Sequence, residues 1–410
     1  MKRHWYAFGV NRTHVRMKHK DKVEEVQEMS DEVNEVPEEV VFDFDMPDIP
    51  MPEEDVAQLV IEDKFPAACK FAFLGIGRAG SRIVEGFHKL GYARVCAINT
   101  AKQDLQEIQI PEKNKLWLGG NGAGGIRTQG MQYTKDKFEE IVDLMRNSYG
   151  TDFDRIMVCV GAGGGTGSGG MEVAVGIANA LVEHMRIKKV GDKTRVGLML
   201  ALPTNSEKSH MANAYEAMKY VEKQLEQQAL SPVIIIDNES VSKLHPGATV
   251  GNVWGKINQS AVTLLHTFNA ICVAPTKHIA LDPADLGTIL ESGLITYGAT
   301  PLRDVAPEKL SQAMTNAVKQ NVLCAGFDIS SATIAGCILA GEANVLDSLN
   351  AQDIDKNCFE KLERITDGAS VHRGIYTTKR PLAAYTMFGG LALPKVRLDE
   401  VAKLCGKDTF

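Results

Sequence analysis

The sequence predicts an α/β protein with a mostly parallel sheet, and two observations lead to this fold class. Short apolar runs recur at 70–74, 94–98, 155–160, 196–202 and 233–236. Each run ends in a Gly- or Asn-rich turn and is followed by an amphipathic, helix-like stretch, which is the pattern of β-α units. With 410 residues, of which 44% are hydrophobic and 24% charged, the chain has the composition of an ordinary globular protein.

Residues 1–63 precede the first unit and differ in charge from the rest. Residues 1–20 carry a charge of +6 and residues 21–63 a charge of −16, and this stretch also contains four prolines. Dense like charge and few aromatic residues predict a mobile arm, because such a segment cannot bury enough surface to offset its chain entropy. The arm is expected either to dock an adaptor or nucleic-acid partner or to act only as a solubilising leader.

Cysteine usage and hydropathy indicate a cytoplasmic protein. The eight cysteines are scattered without a CxxC pair or a Cys/His cluster, which favours reduced thiols and argues against a zinc site. No apolar stretch approaches the roughly 18 residues of a membrane span, and residues 5–10 are too short for a secretory signal.

The first glycine-rich turn lies between the strand of the first unit and a helix expected to begin near Ser81. Gly75, Gly77 and Gly80 have the GxGxxG spacing that lets a backbone approach a phosphate at a helix N-terminus. A dinucleotide site also needs an acid at the tip of the next strand, where this chain has Asn99. An NAD-dependent oxidoreductase therefore remains only a weak alternative.

A second turn, residues 161–170, contains seven glycines, and a third, residues 119–125, contains five. Backbone N–H groups of such turns can converge on an anion, with Thr166 and Ser168 as additional donors. No GxxxxGK[ST] motif is present, so a lysine-bearing P-loop is excluded and a phosphate would be held mainly by amides. Three such turns on one sheet suggest a ligand with several phosphates.

At 163–169 the run GGGTGSG resembles the signature of the tubulin/FtsZ superfamily of polymerising GTPases, and the resemblance extends from about 70 to 394. It implies a GTP-binding domain at 64–249, a central helix at 250–273, a smaller α+β domain at 274–394 and a short tail at 395–410. It further implies a GTP/GDP site with Mg²⁺, whose phosphate side is formed by residues of four loops: Gly75, Gly77, Arg78, Gly80, Asn99, Gly122, Ala123, Gly124, Gly125, Gly163, Gly164, Gly165, Thr166, Gly167 and Ser168.

The resemblance also assigns the sugar and base side of the site. Glu207 stands where the family has a ribose-contacting acid, and Asn238 where an Asn reaches the guanine. On the central helix, Trp254 and Asn258 occupy the positions of a base-stacking aromatic and a base-binding Asn. Their i, i+4 spacing places both on one face, although ordinary core packing of Trp254 is the alternative.

Residues 281–286, LDPADL, resemble the loop that one subunit inserts into the nucleotide site of the next. The resemblance makes Asp282 and Asp285 the catalytic residues of a polymerisation-dependent GTPase that assembles head to tail. The same motif is also a common helix start, with Asp at N-cap, Pro at N1 and Asp at N3. The catalytic and the capping roles are compatible. Beyond this loop, helices are expected at 307–322 and 332–340, and strands at 370–378 and 382–393.

Three departures from the family pattern affect the expected activity. Ala280 replaces an Asn that often precedes the acids, which predicts slow hydrolysis and keeps open a non-hydrolysing structural or regulatory filament protein. Arg82 replaces a usual Asn, and Lys208 or His210 is the candidate for a basic residue after Glu207. Other loop features lean toward TubZ-like proteins rather than division-ring FtsZ.

Overall fold

The computed structural model describes residues 61–184, 195–243, 253–302, 310–320, 323 and 326–410. The predicted arm up to residue 60 and the side chain of Trp254 lie outside this description. Asp63, which the sequence assigns to the arm, instead forms a buried ion pair with Arg94 at 3.0 Å. The folded chain thus includes at least the last residues of the predicted arm.

Within the described chain, ten strands form one sheet, and they are numbered in chain order: Phe71–Ile76, Val95–Asn99, Lys115–Trp117, Arg155–Gly161, Val196–Leu202, Val233–Asp237, Leu294–Pro301, Ile334–Gly341, Ser370–Thr377 and Ala383–Gly389. Their spatial order is β3-β2-β1-β4-β5-β6-β7-β10-β8-β9. All neighbours from β3 to β7 are parallel, and only β10 runs antiparallel, between β7 and β8. The predicted mostly parallel α/β fold is therefore confirmed.

The described helices are numbered in the same way, α1 to α14: Gly77–Lys89, Lys102–Glu107, Arg127–Asp136, Phe138–Tyr149, Gly165–His184, Met211–Glu226, Asn238–Lys243, Val253–Ile271, Pro283–Leu290, Leu310–Gln320, Ala343–Ser348, Ala351–Ile354, Glu360–Ile365 and Lys395–Leu404. Amphipathic helices pack on the sheet, as in α1, where the ring of Phe87 stacks on that of Phe73 in β1 at 3.9 Å. This packing holds the C-terminal part of α1 against the middle of β1.

The central helix, α8, is held in the core by both apolar and polar contacts. Val262 and Phe268 on it are fully buried. The side chain of Asn269 donates to the carbonyl of Cys69 at 2.9 Å and accepts from its N–H at 2.7 Å. Tyr297 of β7 donates to the carbonyl of Ala261 at 3.1 Å. The helix therefore links the segment before β1 to the second half of the sheet.

The C-terminal half corrects two expectations. Residues 332–340, predicted as a helix, instead contain strand β8, Ile334–Gly341, and strand β7 was not predicted. All eight residues of β8 are buried. A short, uniformly apolar run has no period by which a buried strand and a buried helix can be distinguished.

Candidate functional site

A cleft of about 760 Å³ lies at the carboxyl ends of β1, β2, β4, β5 and β6. It is within the size range of small-molecule and cofactor sites. The structure brings most of the predicted binding residues into it: Gly77, Arg78, Asn99, Gly122, Ala123, Gly125, Gly163, Gly164, Gly165, Thr166, Gly167, Glu207, Asn238 and Asn258. Gly75, Gly80, Gly124 and Ser168 were also predicted but do not line it.

The glycines of the first turn have two different roles. A Cβ at Gly80 would lie 1.9 Å from the carbonyl oxygen of Cys159 in β4, and one at Gly75 would lie 2.7 Å from the carbonyl of Gly80. These two positions allow α1 to pack closely on the sheet. Gly77 alone of the three lines the cleft, and its φ of +67° requires a residue that adopts the left-handed conformation. The α1 helix begins at this glycine rather than near Ser81.

The second turn is shorter than predicted, because α5 begins at Gly165 and includes the last six residues of 161–170. Space around a Cβ at Gly164 is open, so this backbone faces the cleft freely. The hydroxyl of Thr166 lies 2.6 Å from that of Thr100 at the base of the cleft. Ser168 donates to the carbonyl of Gly164 at 2.6 Å and is buried in the helix. The N-terminus of this 20-residue helix therefore points its partial positive charge at the cleft.

The third turn is connected to the second by a residue that the sequence analysis missed. Asn213 on α6 donates from its amide to the carbonyl of Gly125 at 2.7 Å and to that of Gly163 at 2.9 Å. Gly122 and Gly125 have φ of +101° and +77° and no other atoms close to their Cβ positions. One side chain thus sets the distance between two loops that have open, left-handed backbone at the cleft.

Charged side chains surround the glycine loops. Asn99 donates to Asp104 at 3.1 Å, and its side-chain oxygen accepts from the N–H of Ala101 at 3.2 Å, which shapes the end of β2. Arg78 lies 3.8 Å from Asp104, and Arg82 donates to Glu107 at 2.9 Å. Both arginines line the cleft and so place positive charge beside the amide-rich loops.

The other side of the cleft follows β5 and β6. One carboxylate oxygen of Glu207 accepts from the N–H of Thr204 at 2.8 Å, while the other lies 3.6 Å from His210. Asn238 and Asn258 line the cleft together with Glu207. The side chain of Trp254, the fourth residue predicted for this side, is not among the described side chains.

Asp282 and Asp285 do not line the cleft. Asp282 caps α9 and accepts from the N–H of Asp285 at 2.8 Å, while Asp285 accepts from the N–H of Asp282 at 3.0 Å. The helix-capping interpretation of this motif is thus confirmed. Asp285 is also 2.8 Å from Nδ1 of His372 in β9.

The loop before α9 is anchored from β9. The hydroxyl of Tyr376 donates to the carbonyl of Leu281 at 2.8 Å. Burial, reinforced by Cys272 and the two aspartates, raises the pKa of Tyr376 to about 12, so this donor keeps its proton at physiological pH. The two acids are therefore held on an ordered loop, and one oxygen of Asp282 accepts no hydrogen bond from the residues that the structure describes.

Several lining residues carry no recognisable motif. Thr100 and Asp104 line the cleft but were not singled out from the sequence, and His210, rather than Lys208, is the candidate basic residue after Glu207 that lines it. Thr100 and Asp104 both follow Asn99, the last residue of β2, so proximity to a predicted strand end was the signal that could have found them. Asn213 lies within a helix, and only the tertiary structure places its amide between two loops.

Neither a metal cluster nor a membrane helix is found in the part of the chain that the structure describes. It contains no group of three or more His, Cys, Asp or Glu side chains arranged to hold a metal ion. A Mg²⁺ ion beside a nucleotide commonly uses one or two carboxylates and the phosphates themselves, and Asp104, which lines the cleft, fits that smaller requirement. No described helix is long and apolar enough to cross a bilayer.

Comparison with known proteins gives consistent matches. The family model "Tubulin/FtsZ family, GTPase domain" matches residues 70–245. The chain is 26% identical over 255 residues to cell division protein FtsZ 2 of Haloferax volcanii, covering 60% of this chain and 58% of the relative, which is less than two thirds of that protein. It is 24% identical over 330 residues to the tubulin-like protein CetZ of Pyrococcus abyssi, covering 78% of this chain and 84% of the relative.

A solved structure shares the fold. The TubZ protofilament of Bacillus thuringiensis serovar israelensis in its GTPγS form superposes with a TM-score of 0.68 at 18% identity, covering 83% of this chain and 91% of that one. The shared fold thus extends over most of the chain. The matched region, residues 70–245, is thus identified as a tubulin/FtsZ-family GTPase domain, and the similarity to members of that superfamily extends over most of the chain.

Proposed function

We propose that this protein is a cytoskeletal GTPase that binds GTP in the cleft, assembles head to tail into filaments and hydrolyses GTP at the contact between subunits. The observation that carries the proposal is the convergence of three glycine loops, Asn99 and the β5–β6 residues on one cleft. We assign nucleotide binding to 64–249, activation to 274–394 and their connection to the helix predicted at 250–273. The protein is expected to act in the cytoplasm.

The chemistry of the cleft suits a triphosphate. Backbone N–H groups at Gly164 and Gly165, the α5 helix dipole and the paired hydroxyls of Thr100 and Thr166 all favour anionic oxygens. Arg78 and Arg82 add charge at the same end. Asp104 would be the carboxylate for Mg²⁺, which would supply charge neutralisation between the phosphates.

The position of the two acids supports hydrolysis between subunits. Asp282 and Asp285 are absent from the cleft of their own chain, so they can act on a phosphate only if another copy presents them. Phosphoryl transfer depends mainly on positioning and charge stabilisation, which an ordered loop with an uncommitted carboxylate oxygen can provide. A repeating contact of this kind does not close on itself and gives an open polymer.

Sedimentation of the purified protein with GTP, GDP, ATP or a slowly hydrolysed GTP analogue tests the proposal. We expect pelleted polymer with GTP and more of it with the analogue, but little with GDP or ATP. Equal sedimentation under all four conditions would contradict nucleotide-dependent assembly. Binding of NAD(H), measured by its fluorescence, would instead revive the oxidoreductase alternative.

A second candidate is a nucleotide-binding structural or regulatory filament protein that does not hydrolyse GTP. It is favoured by Ala280 and by the complete capping box, which accounts for both acids without catalysis. A phosphate-release assay above the assembly concentration distinguishes the two candidates.

In either case, we propose that the charged arm contacts an adaptor or nucleic acid. Removal of the arm would abolish that contact without affecting assembly.

A further inference from the structure

Arg397, on the C-terminal helix α14, is the best-connected buried cation of the described chain outside the cleft. Its side chain is only 1% exposed. The guanidinium donates through Nε to Asp237 at 2.9 Å, through Nη2 to the carbonyl of Pro203 at 2.8 Å, and through Nη1 to Asn205 at 2.6 Å. Nη1 also reaches Glu400 of the same helix at 3.1 Å. Each nitrogen of the guanidinium is therefore committed.

The acceptors of Arg397 belong to the two segments that form the β5–β6 side of the cleft. Pro203 lines the cleft directly, and Asp237 immediately precedes Asn238, which also lines it. Asp237 is fully buried and also accepts from the hydroxyl of Ser240 and from the N–H of Glu239. Because the arginine fork is planar and rigid, it fixes the distance between these two segments.

The same segments are tied to each other by further bonds. The N–H of Asn205 donates to the carboxylate of Glu239 at 3.1 Å, and that of Thr204 donates to Glu207 at 2.8 Å. Glu207 is itself a lining residue. The guanidinium thus holds together the two segments that carry the lining residues Glu207 and Asn238, while its described bonds do not reach the three glycine loops.

We propose that Arg397 is a positioning residue for the sugar and base side of the nucleotide site, so that helix α14 controls affinity for the nucleoside and not for the phosphates. This inference rests on the proposed GTP site. It makes a selective prediction: loss of Arg397 weakens binding of a complete nucleotide but leaves the phosphate-binding loops competent. A residue with a purely structural role would affect both ligands together.

Competitive titration of the full-length protein with GTP and with inorganic tripolyphosphate tests the selectivity. For Arg397→Gln we expect GTP affinity to fall about tenfold or more, which is the scale of losing charged hydrogen bonds. Tripolyphosphate affinity should stay within about twofold of the wild-type value. Arg397→Lys keeps the charge but not the fork and should also weaken GTP binding. Lys403→Gln, which removes an exposed charge from the same helix, is the matched control and should bind both ligands like the wild type.

Asn205→Ala keeps the inference testable if Arg397→Gln does not fold. It removes one acceptor without removing the buried arginine, and the same selective loss of GTP binding is expected. Unchanged GTP affinity in Arg397→Gln, or an equal loss for GTP and tripolyphosphate, would overturn the inference alone. A wild-type protein that binds no GTP would overturn the proposed function and the inference with it.

Discussion

At the scale of single residues, the glycines of the signature motifs have different structural roles. Gly80 is required because the carbonyl of Cys159 occupies the space of a side chain, whereas Gly164 faces open space in the cleft. The first therefore belongs to the packing of α1 on the sheet, and the second to the ligand. Substituting each by alanine separates stability from binding.

We expect Gly80→Ala to lower the free energy of unfolding by about 1–3 kcal/mol or more, as overpacking does in other cores. Gly164→Ala should leave stability nearly unchanged but weaken GTP binding about tenfold, because the methyl group displaces a phosphate from the backbone N–H groups. Thermal unfolding and nucleotide titration of both variants provide the measurements. A Gly80→Ala variant of normal stability, or a Gly164→Ala variant that binds GTP like the wild type, would contradict these two roles.

Asp285 is expected to act on the phosphate of a neighbouring subunit as well as in the cap of α9. Asp285→Ala should reduce GTP turnover by about 10²-fold or more, while GTP binding and filaments persist because the residue is outside the cleft. Asp285→Asn is the matched control for capping, since its amide oxygen can still accept from the N–H of Asp282. Phosphate release from assembled protein is measured. Turnover at the wild-type rate in either variant would eliminate the catalytic role.

At the scale of secondary-structure elements, the cleft depends on how helices hold loops that have little structure of their own. The second and third glycine turns come from different units of the chain, yet both carbonyls at their junction accept from Asn213 of α6. A helix that contributes no side chain to the sequence motif thus sets the separation of two glycine-rich loops that line the cleft.

Asn213→Ala should therefore weaken GTP binding by several-fold to about tenfold, the scale of one or two lost hydrogen bonds. Glu216→Ala, an exposed position on the same helix, is the matched control and should bind like the wild type. Isothermal titration of the two variants decides the point. If both bind GTP equally well, the loops do not need the bridge.

At the scale of the whole molecule, one chain holds only part of the proposed catalytic site. GTP turnover per subunit should rise more steeply than linearly with protein concentration until assembly saturates. Phosphate release measured over a range of concentrations that spans the onset of sedimentation tests this. A rate per subunit that is constant across that range would indicate that a single chain is sufficient.

Buried thiols give a second whole-molecule prediction. Burial raises the pKa of Cys69, Cys96 and Cys358 to about 12, whereas Cys405 is partly exposed. In native protein, alkylation at pH 8 should modify Cys405 before these three, as mass spectrometry of peptides would reveal. Because the ordinary thiol pKa is 9.0, unfolded thiols ionise first, so stability should decline as pH rises above about 9. Rapid labelling of Cys96 in native protein would contradict the expected order of alkylation.

Much of the site could be read from the chain because its chemistry is local. Glycines at strand ends, Asn99 in place of an acid and the capping spacing of Asp282 and Asp285 are properties of a few adjacent residues. They predicted the parallel sheet, the loops that meet at its edge and the start of α9. The uniformly buried strand β8 was misread as a helix because burial on every side removes the periodicity that identifies an element.

Contacts between distant segments were decided only by the tertiary structure. It assigned Gly75 and Gly80 to packing, placed Asn213 between two loops, brought His372 to Asp285 and set Arg397 against residues about 160 to 194 positions away. The sequence by itself determined which chemical groups follow each strand, because that depends on covalent order. Which of them face the cleft and which support it depends on packing between segments, and that exists only once the chain has folded.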